Sequence, residues 1–255
     1  MNNVTDIRVP FPEAVDLHLR IRVGACRLQL TRGGSDWVTG TYEDPTGTLP
    51  CSVHQDGGSA RISQEPHVAA VLGWRRGIPT FILALGTRLP YALSIETGAS
   101  DTDIELGGVP LKRLSIKMGA GKNVLRFLEP NPQPLSLLDV DAGAGSYEFR
   151  NLANAGFSDM TLDGGAAAFV CDFGGTLQRD ASVHISSGMS TVEIAVPSAT
   201  AARINAESVL GLINAADGFT TREGGYWTRA ALENAGPVLA IRASVALGTV
   251  TLNTY

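Results

Sequence analysis

Leucine, isoleucine and valine recur at every second position in many short segments, and few segments show helical spacing. Alternation with a period of two is typical of strands with one buried face, so the pattern predicts an all-β protein. Each alternating segment leads into a glycine, and a second alternating segment follows it. The first clear copy has Leu93, Ile95 and Gly98, followed by Ile104 and Leu106.

The glycines at the centre of these segments return at a nearly constant interval. The five central ones are 21, 24, 22 and 23 residues apart, which indicates a repeat architecture. With the copies nearer the termini, the predicted turn glycines are Gly24, Gly98, Gly119, Gly143, Gly165, Gly188 and Gly248. Glycine suits a corner because it accepts a positive φ or a close approach of another backbone.

Two architectures fit this unit. In a β-solenoid each repeat of about 22 residues forms one coil, and equivalent strands stack in parallel about 4.8 Å apart. In an antiparallel sandwich each glycine turn reverses the chain within a sheet. The regular repetition favours the solenoid. We predict a right-handed β-helix-like stack, either single-stranded or of the toast-rack kind, with capping segments.

The regularity of the pattern divides the chain into three segments. Residues 1–90 are less regular and are predicted to begin or cap the stack, because terminal repeats are usually atypical. Residues 91–213 hold the core β repeats. Residues 214–255 hold an aromatic insertion, which we expect to cap the far end, and a closing β repeat.

Composition narrows the functional classes. Acidic residues outnumber basic ones by 25 to 20, which argues against a nucleic-acid binder. Three widely spaced cysteines predict buried thiols and neither a disulfide framework nor a zinc site. The first residues lack the pattern of a signal peptide, and glycine, proline and arginine interrupt the longest apolar stretch. We therefore expect no membrane span and a cytoplasmic location.

The repeats resemble a known family. Residues 95–106 and 116–121 resemble the toast-rack repeat of bacterial "putative adhesins", and residues 188–197 resemble the tail of LiaF-type cell-wall-stress-response domains. The resemblance covers residues 90–255 and, more weakly, residues 15–65. It implies a β-helix-like domain with no assigned catalytic residues. It also implies a role in adhesion or envelope-stress signalling and a membrane-peripheral location.

Candidate chemistry is sparse. No P-loop, nucleophile-elbow, zinc-protease or EF-hand spacing is present. Asp101 and Asp103, two residues apart beside a turn, form a candidate weak calcium site. Trp74, Arg75 and Arg76 form a basic and aromatic cluster that is a candidate partner loop. We expect no other metal site, no cofactor and no catalytic residue.

These features predict a non-enzymatic β-repeat scaffold that contacts a protein or an envelope partner. The alternative is a carbohydrate-active enzyme or a glycan-binding surface protein on a β-helix, and an enzyme would need carboxylates or bases clustered on one face. Homo-oligomerisation is a further hypothesis, because the ends of a solenoid leave strand edges exposed. Outward strand positions are chemically mixed: Glu96, Lys117, Asp139, Asp163, Ser186 and Arg242.

Overall fold

The computed structural model describes residues 3–45, 47–64 and 77–255, most of which lie in strands. The first nine strands are β1 (Asn3–Val9), β2 (His18–Val23), β3 (Arg27–Arg32), β4 (Val38–Asp44), β5 (Cys51–Asp56), β6 (Ser59–Gln64), β7 (Thr80–Leu85), β8 (Tyr91–Ala99) and β9 (Asp101–Glu105). The others are β10 (Leu111–Arg126), β11 (Leu135–Arg150), β12 (Phe157–Gly164), β13 (Ala167–Asp172), β14 (Ala181–Val196), β15 (Ala201–Ala215), β16 (Phe219–Arg222), β17 (Gly225–Thr228) and β18 (Val238–Thr254). A 3-10 turn spans Leu152–Ala155, and a short helix, α1, spans Arg229–Leu232.

The alternation of buried and exposed residues changes phase within each long strand. In β10, Ile116 and Met118 are buried, and the next buried residues are Asn123 and Leu125. Positions 118 and 123 are five residues apart, an odd number, so the side of the strand that faces inward changes between Met118 and Asn123 and the chain bends there. Each coil therefore has a first arm before the bend and a second arm after it. The strand continues through the bend, where the sequence predicted two strands and a tight turn.

Equivalent arms of successive coils pair in parallel and in register. Leu93 lies beside Leu114 in the first arms, and Ile104 lies beside Leu125 in the second arms. Leu125 in turn lies beside Phe149. The first arms form one face of the stack, here called the first face, and the second arms form the second face. This pairing confirms the predicted solenoid, and the antiparallel sandwich is wrong.

The last strand of the chain does not lie at the end of the stack. β18 pairs in parallel with β14 on one side and with β15 on the other, so Ala243 lies between Ile185 and Ala206. The β16–β17 hairpin then adds antiparallel to the first arm of β15, where Trp227 faces Arg203. The last long strand at this end is therefore β15, and the aromatic insertion packs against it.

The opposite end is also built from antiparallel strands. β5 pairs with β6 on the first face, and β4 pairs with β7 on the second face, where β1 then pairs with β4. Parallel coils connect these strands to the core because β6 pairs with β2 and β7 pairs with β3. The stack thus has a parallel interior and antiparallel margins.

One apolar core fills the space between the two faces. Phe127, Phe149 and Phe173 occupy inward positions of the alternating pattern and are fully buried, and the rings of Tyr147 and Phe169 stack with centroids 5.2 Å apart. The three cysteines are free, and two of them, Cys26 and Cys171, are buried in agreement with the sequence. Burial raises the pKa of both thiols to about 12, so both stay protonated at neutral pH. Among the described residues, no helix is long and apolar enough to cross a bilayer.

Buried asparagines hold the loops that return from the second face to the first. The side-chain amide of Asn131 donates to the carbonyl oxygens of Leu111 and Ala155, at 2.9 and 3.2 Å. Asn154 donates to the carbonyl of Phe127 at 2.9 Å and accepts from the amide of Thr176. These bonds satisfy loop backbone groups that are buried away from water.

Six of the seven predicted turn glycines, all except Gly248, lie over one another at the bends. The Cβ of an alanine in place of Gly119 would lie 2.8 Å from the carbonyl oxygen of Gly98, and at Gly143 it would overlap the carbonyl oxygen of Gly119. Neither Gly119 nor Gly143 has a positive φ. The close approach of two backbones, and not the backbone angles, therefore requires glycine in this column.

We expect Gly143→Ala to destabilise the protein by about 1–3 kcal/mol, because the added methyl group overlaps backbone that cannot rotate away. Gly188→Ala is the matched control, since the nearest atom to its Cβ is 3.6 Å away. Its free energy of unfolding should stay within about 1 kcal/mol of the wild-type value. Urea denaturation measures both, and equal losses at the two positions would contradict the close-approach explanation.

Candidate interaction surface

One row of outward side chains crosses the whole first face, and we call it the outward row. The parallel register brings one residue from each first arm into it. Its members are His54, Arg61, Arg20, Ser94, Ser115, Asp139, Thr161, His184, Arg242 and Asn205. With neighbouring strands about 4.8 Å apart, the row is about 40 Å long. It is basic near both ends and acidic in the middle.

The middle of the first face is flat, and its polar groups are paired. Asp139 accepts hydrogen bonds from the hydroxyls of Ser115 and Thr161, at 3.2 and 2.7 Å. In the adjacent row, Lys117 lies 3.9 Å from Asp141. Each such exposed pair contributes at most about 1 kcal/mol. The centre of the face therefore offers a regular polar surface and not a cleft.

A cavity of about 290 Å³ lies at the end of the row nearest β5. Arg20 and Arg61, which are neighbours across two strands, line it together with His54 and Asp56. The Nε2 atom of His18 lies 2.9 Å from the hydroxyl of Ser94. Burial, and secondly the charge of Arg20, lower the pKa of His18 below its ordinary value of 6.5. The imidazole is therefore neutral at pH 7.

A second cavity, of about 280 Å³, lies at the other end of the row, under the β16–β17 hairpin. The guanidinium carbon of Arg203 lies 4.4 Å from the ring centroid of Trp227, and that of Arg222 lies 5.0 Å from it. Arg242 lines the same cavity. The Nε atom of Arg222 is 3.5 Å from a carboxylate oxygen of Glu223. We call this space the Trp227 cavity.

The candidate calcium ligands are engaged within the chain. A carboxylate oxygen of Asp101 accepts a hydrogen bond from the amide of Lys122 at 3.1 Å. Asp103 pairs with Arg126, whose Nε also lies 3.6 Å from Glu105. Over residues 3–45, 47–64 and 77–255, no group of three or more His, Cys, Asp or Glu side chains could hold a metal ion.

The other predicted residues fall into three groups. Gly24 and Gly98 continue the column at the bends, and the same column ends at Gly188. Gly248 lies elsewhere, beside Ser190, in a second column where its φ is +141°. The candidate partner loop, Trp74, Arg75 and Arg76, lies outside the described residues.

Sequence reasoning missed the Trp227 cavity. Its pattern marked Arg242 as outward-facing and placed Trp227 in the aromatic insertion, but it did not bring them together. They meet because β18 inserts between β14 and β15, and no alternation of apolar residues encodes that order. The available signal was the presence of two arginines, Arg203 and Arg242, on either side of an aromatic segment.

We expect Arg20→Gln to raise the pKa of His18 toward 6.5 without reaching it, because burial, the larger cause, remains. A lowered histidine pKa means that the unfolded chain binds more protons, so the stability from this site is complete above pH 6.5 and falls as the pH decreases below it. NMR titration of the His18 ring measures the shift. Lys112→Gln, which removes the same charge, is the control. An equal rise of the His18 pKa in this variant, or a His18 pKa above 6.5 in the wild type, would contradict the explanation by burial and by the charge of Arg20.

Comparisons with known proteins agree with this architecture. The family model described as the N-terminal domain of toast_rack, DUF2154, matches residues 2–148. No curated protein matches the chain. The chain is similar over 100% of both lengths to a "putative cell adhesion protein" from Clostridium sporogenes, with 13% identity and a TM-score of 0.53. A "putative adhesin" from Bacteroides fragilis matches with 10% identity and a TM-score of 0.47, covering 99% of this chain and 97% of that one.

At 13% identity the Clostridium structure supports the fold alone. The family match is stronger evidence, because it spans more than half of the chain and includes the β8–β11 coils that carry the turn glycines. The chain belongs to the toast-rack family.

Proposed function

We propose that the protein is a non-enzymatic, adhesion-type scaffold whose first face binds a protein or a glycan of the cell envelope. The observation that carries the proposal is the outward row, which aligns ten polar side chains over about 40 Å. A flat, regular face of this length suits an extended partner. A solved structure with the same fold carries the description "putative cell adhesion protein".

The charge distribution supports binding along the row. Its centre holds Asp139, whereas Arg20 and Arg61 lie near one end and Arg242 near the other. A partner with complementary charges is thereby oriented and held in one register. An envelope-stress role, implied by the resemblance to LiaF-type domains, would use the same face, and location at the membrane periphery would follow from the bound partner.

The three segments of the chain contribute differently to this face. We propose that residues 91–213 form its regular centre. Residues 1–90 supply the basic end with Arg20 and Arg61, and residues 214–255 supply the other end with Arg242. The repeat thus provides the support, and the irregular segments provide the three arginines of the outward row.

The carbohydrate-enzyme hypothesis receives less support. Asp139 and Asp141 lie on the first face, but the hydroxyls of Ser115 and Thr161 already bond Asp139, and Lys117 pairs with Asp141. They lie on a flat surface and not in a cleft that would exclude water from a reaction. Glycan binding without catalysis remains within the proposed function.

Self-association is the second part of the proposal. The second arm of β15 pairs only with β18 among the described strands, and its outer edge is apolar. Val209 is 80% exposed, Leu210 68% and Leu212 66%. No charged residue lies between positions 208 and 215, so two copies can pair edge to edge without opposing like charges. We assign this edge to a second copy of the chain.

To test the first face, purified protein is sedimented with envelope fragments from the bacterium that encodes it. Ser186→Lys places a new charge on the first arm of β14 beside the outward row, and we expect it to reduce co-sedimentation several-fold. Thr191→Lys is the matched control, exposed on the second arm of the same strand. Absence of wild-type co-sedimentation, or equal losses in both variants, would overturn the proposal. Cell fractionation of the native protein reports its location.

To test self-association, light scattering measures molar mass over a concentration series. The wild type should shift from monomer to dimer, and Leu212→Lys should remain monomeric because it places a charge in the apolar edge. Val15→Lys, which changes an 87% exposed valine outside β15, serves as the control. A wild type that stays monomeric at every concentration, or a Leu212→Lys variant that still dimerises, would show that this edge is not the interface.

A further inference from the structure

The Trp227 cavity combines three strands of the stack with a hairpin that folds over them. His184, Arg242 and Asn205 lie side by side on β14, β18 and β15 and form its floor. Trp227, on β17, stands beside Arg203 and forms one wall. The result is a concave space of about 280 Å³ at one end of the first face.

The charges around this cavity are not balanced. Arg203 and Arg242 line it, and Glu223, the carboxylate in its lining, pairs with Arg222, which lies against the ring of Trp227. Arg242 has no ion pair with any residue that the structure describes. This excess of positive charge occurs in a chain whose net charge is −5.

Arg203 adds a second, independent observation. Its Nε is buried and has no hydrogen-bond partner among the described residues. A buried donor without an acceptor destabilises the folded protein, and a charged donor does so more strongly. The contact with Trp227 compensates only in part, because a cation–π interaction does not supply the missing acceptor. A ligand with acceptor oxygens would satisfy Arg203 and neutralise Arg242 together.

We propose that the Trp227 cavity binds an oxyanion, a carboxylate or a phosphate, carried by a small polar molecule or by a single unit of an acidic polymer. Guanidinium groups match these anions because their planar N–H donors bind two oxygens at once. The cavity volume of about 280 Å³ lies just below the range of about 300–1,000 Å³ for ligand pockets, so the site suits one sugar unit or one phosphate group.

A neutral sugar fits the cavity less well. Sugars stack on exposed aromatic rings, but the guanidinium groups of Arg203 and Arg222 already lie against the ring of Trp227. The cavity at the other end of the outward row is also basic, but it includes Asp56 and has no aromatic wall. The Trp227 cavity is therefore the more specific anion site. This proposal deepens the proposed function because it names a ligand for the same face. It rests on the proposed function only in that respect.

Isothermal titration calorimetry of the full chain with glucuronate, inorganic phosphate and glucose tests which class of ligand the protein binds. We expect glucuronate, phosphate or both to bind with a Kd that weakens as salt rises, and glucose not to bind. Binding of glucuronate alone would identify an acidic sugar as the source of the oxyanion, and binding of phosphate alone would identify a phosphate group. Failure of both anions to bind, or equal binding of glucose, overturns the proposal.

Substitutions test whether the anion binds in the Trp227 cavity. Arg242→Gln should weaken anion binding at least tenfold, and Arg242→Lys should restore only part of it, because an ammonium group lacks the two-pronged geometry. Lys112→Gln, which removes the same charge from an exposed site outside the cavity, should leave the Kd unchanged. Equal weakening by Lys112→Gln would show a general charge effect and overturn the assignment. Far-ultraviolet circular dichroism confirms that each variant is folded.

The outcome is distinguishable from that of the proposed function. If the anions do not bind but Ser186→Lys still reduces envelope co-sedimentation, the scaffold proposal stands and the oxyanion site falls. If the anions bind in the cavity but the protein does not sediment with envelopes, the oxyanion site stands and the adhesion-type role falls.

Discussion

The close approach of backbones at the bends determines the form of this protein. From Gly98 to Gly165, coils stacked at the spacing of a β-sheet leave little room for a side chain where one bend lies over the next, as the overlap at Gly143 shows. Every coil must therefore bend at the same level. Once it does, the residues before and after each bend fall into register along the stack, and each position in the repeat becomes a row. The outward row is a consequence of the glycine column.

Local sequence predicts the part of the structure that local physics determines. Alternation identified the inward side chains, such as Phe127 and Phe149, because a strand with one buried face must alternate. The spacing of the glycines identified the coils, because each must bend once. The family resemblance, made on residues 95–106 and 116–121, depends on the same local pattern, and the family match agrees with it.

The order of the last coils was not predictable in this way. β14, β15 and β18 carry similar alternation, and nothing in their own residues states which two are neighbours. The insertion of β18 combines pairings that are 37 and 58 residues apart in the sequence, and it is determined by the fit of whole strands and by the hairpin that covers the first arm of β15. Arg242 and Arg203 could be recognised as outward-facing, but their meeting beside Trp227 depends on this order.

The ends of the stack are the natural places for specific chemistry. An interior coil has an almost identical coil on each side, so its outward groups pair along the ladder, as Asp139 does with Ser115 and Thr161. A terminal coil has no such neighbour, and an irregular segment can cover part of its open edge. That segment can hold side chains above the face instead of within it, as β17 holds Trp227 beside Arg203. The covering of an edge and the formation of a concave site are thus one structural event, which explains why both basic cavities of the first face lie at its ends.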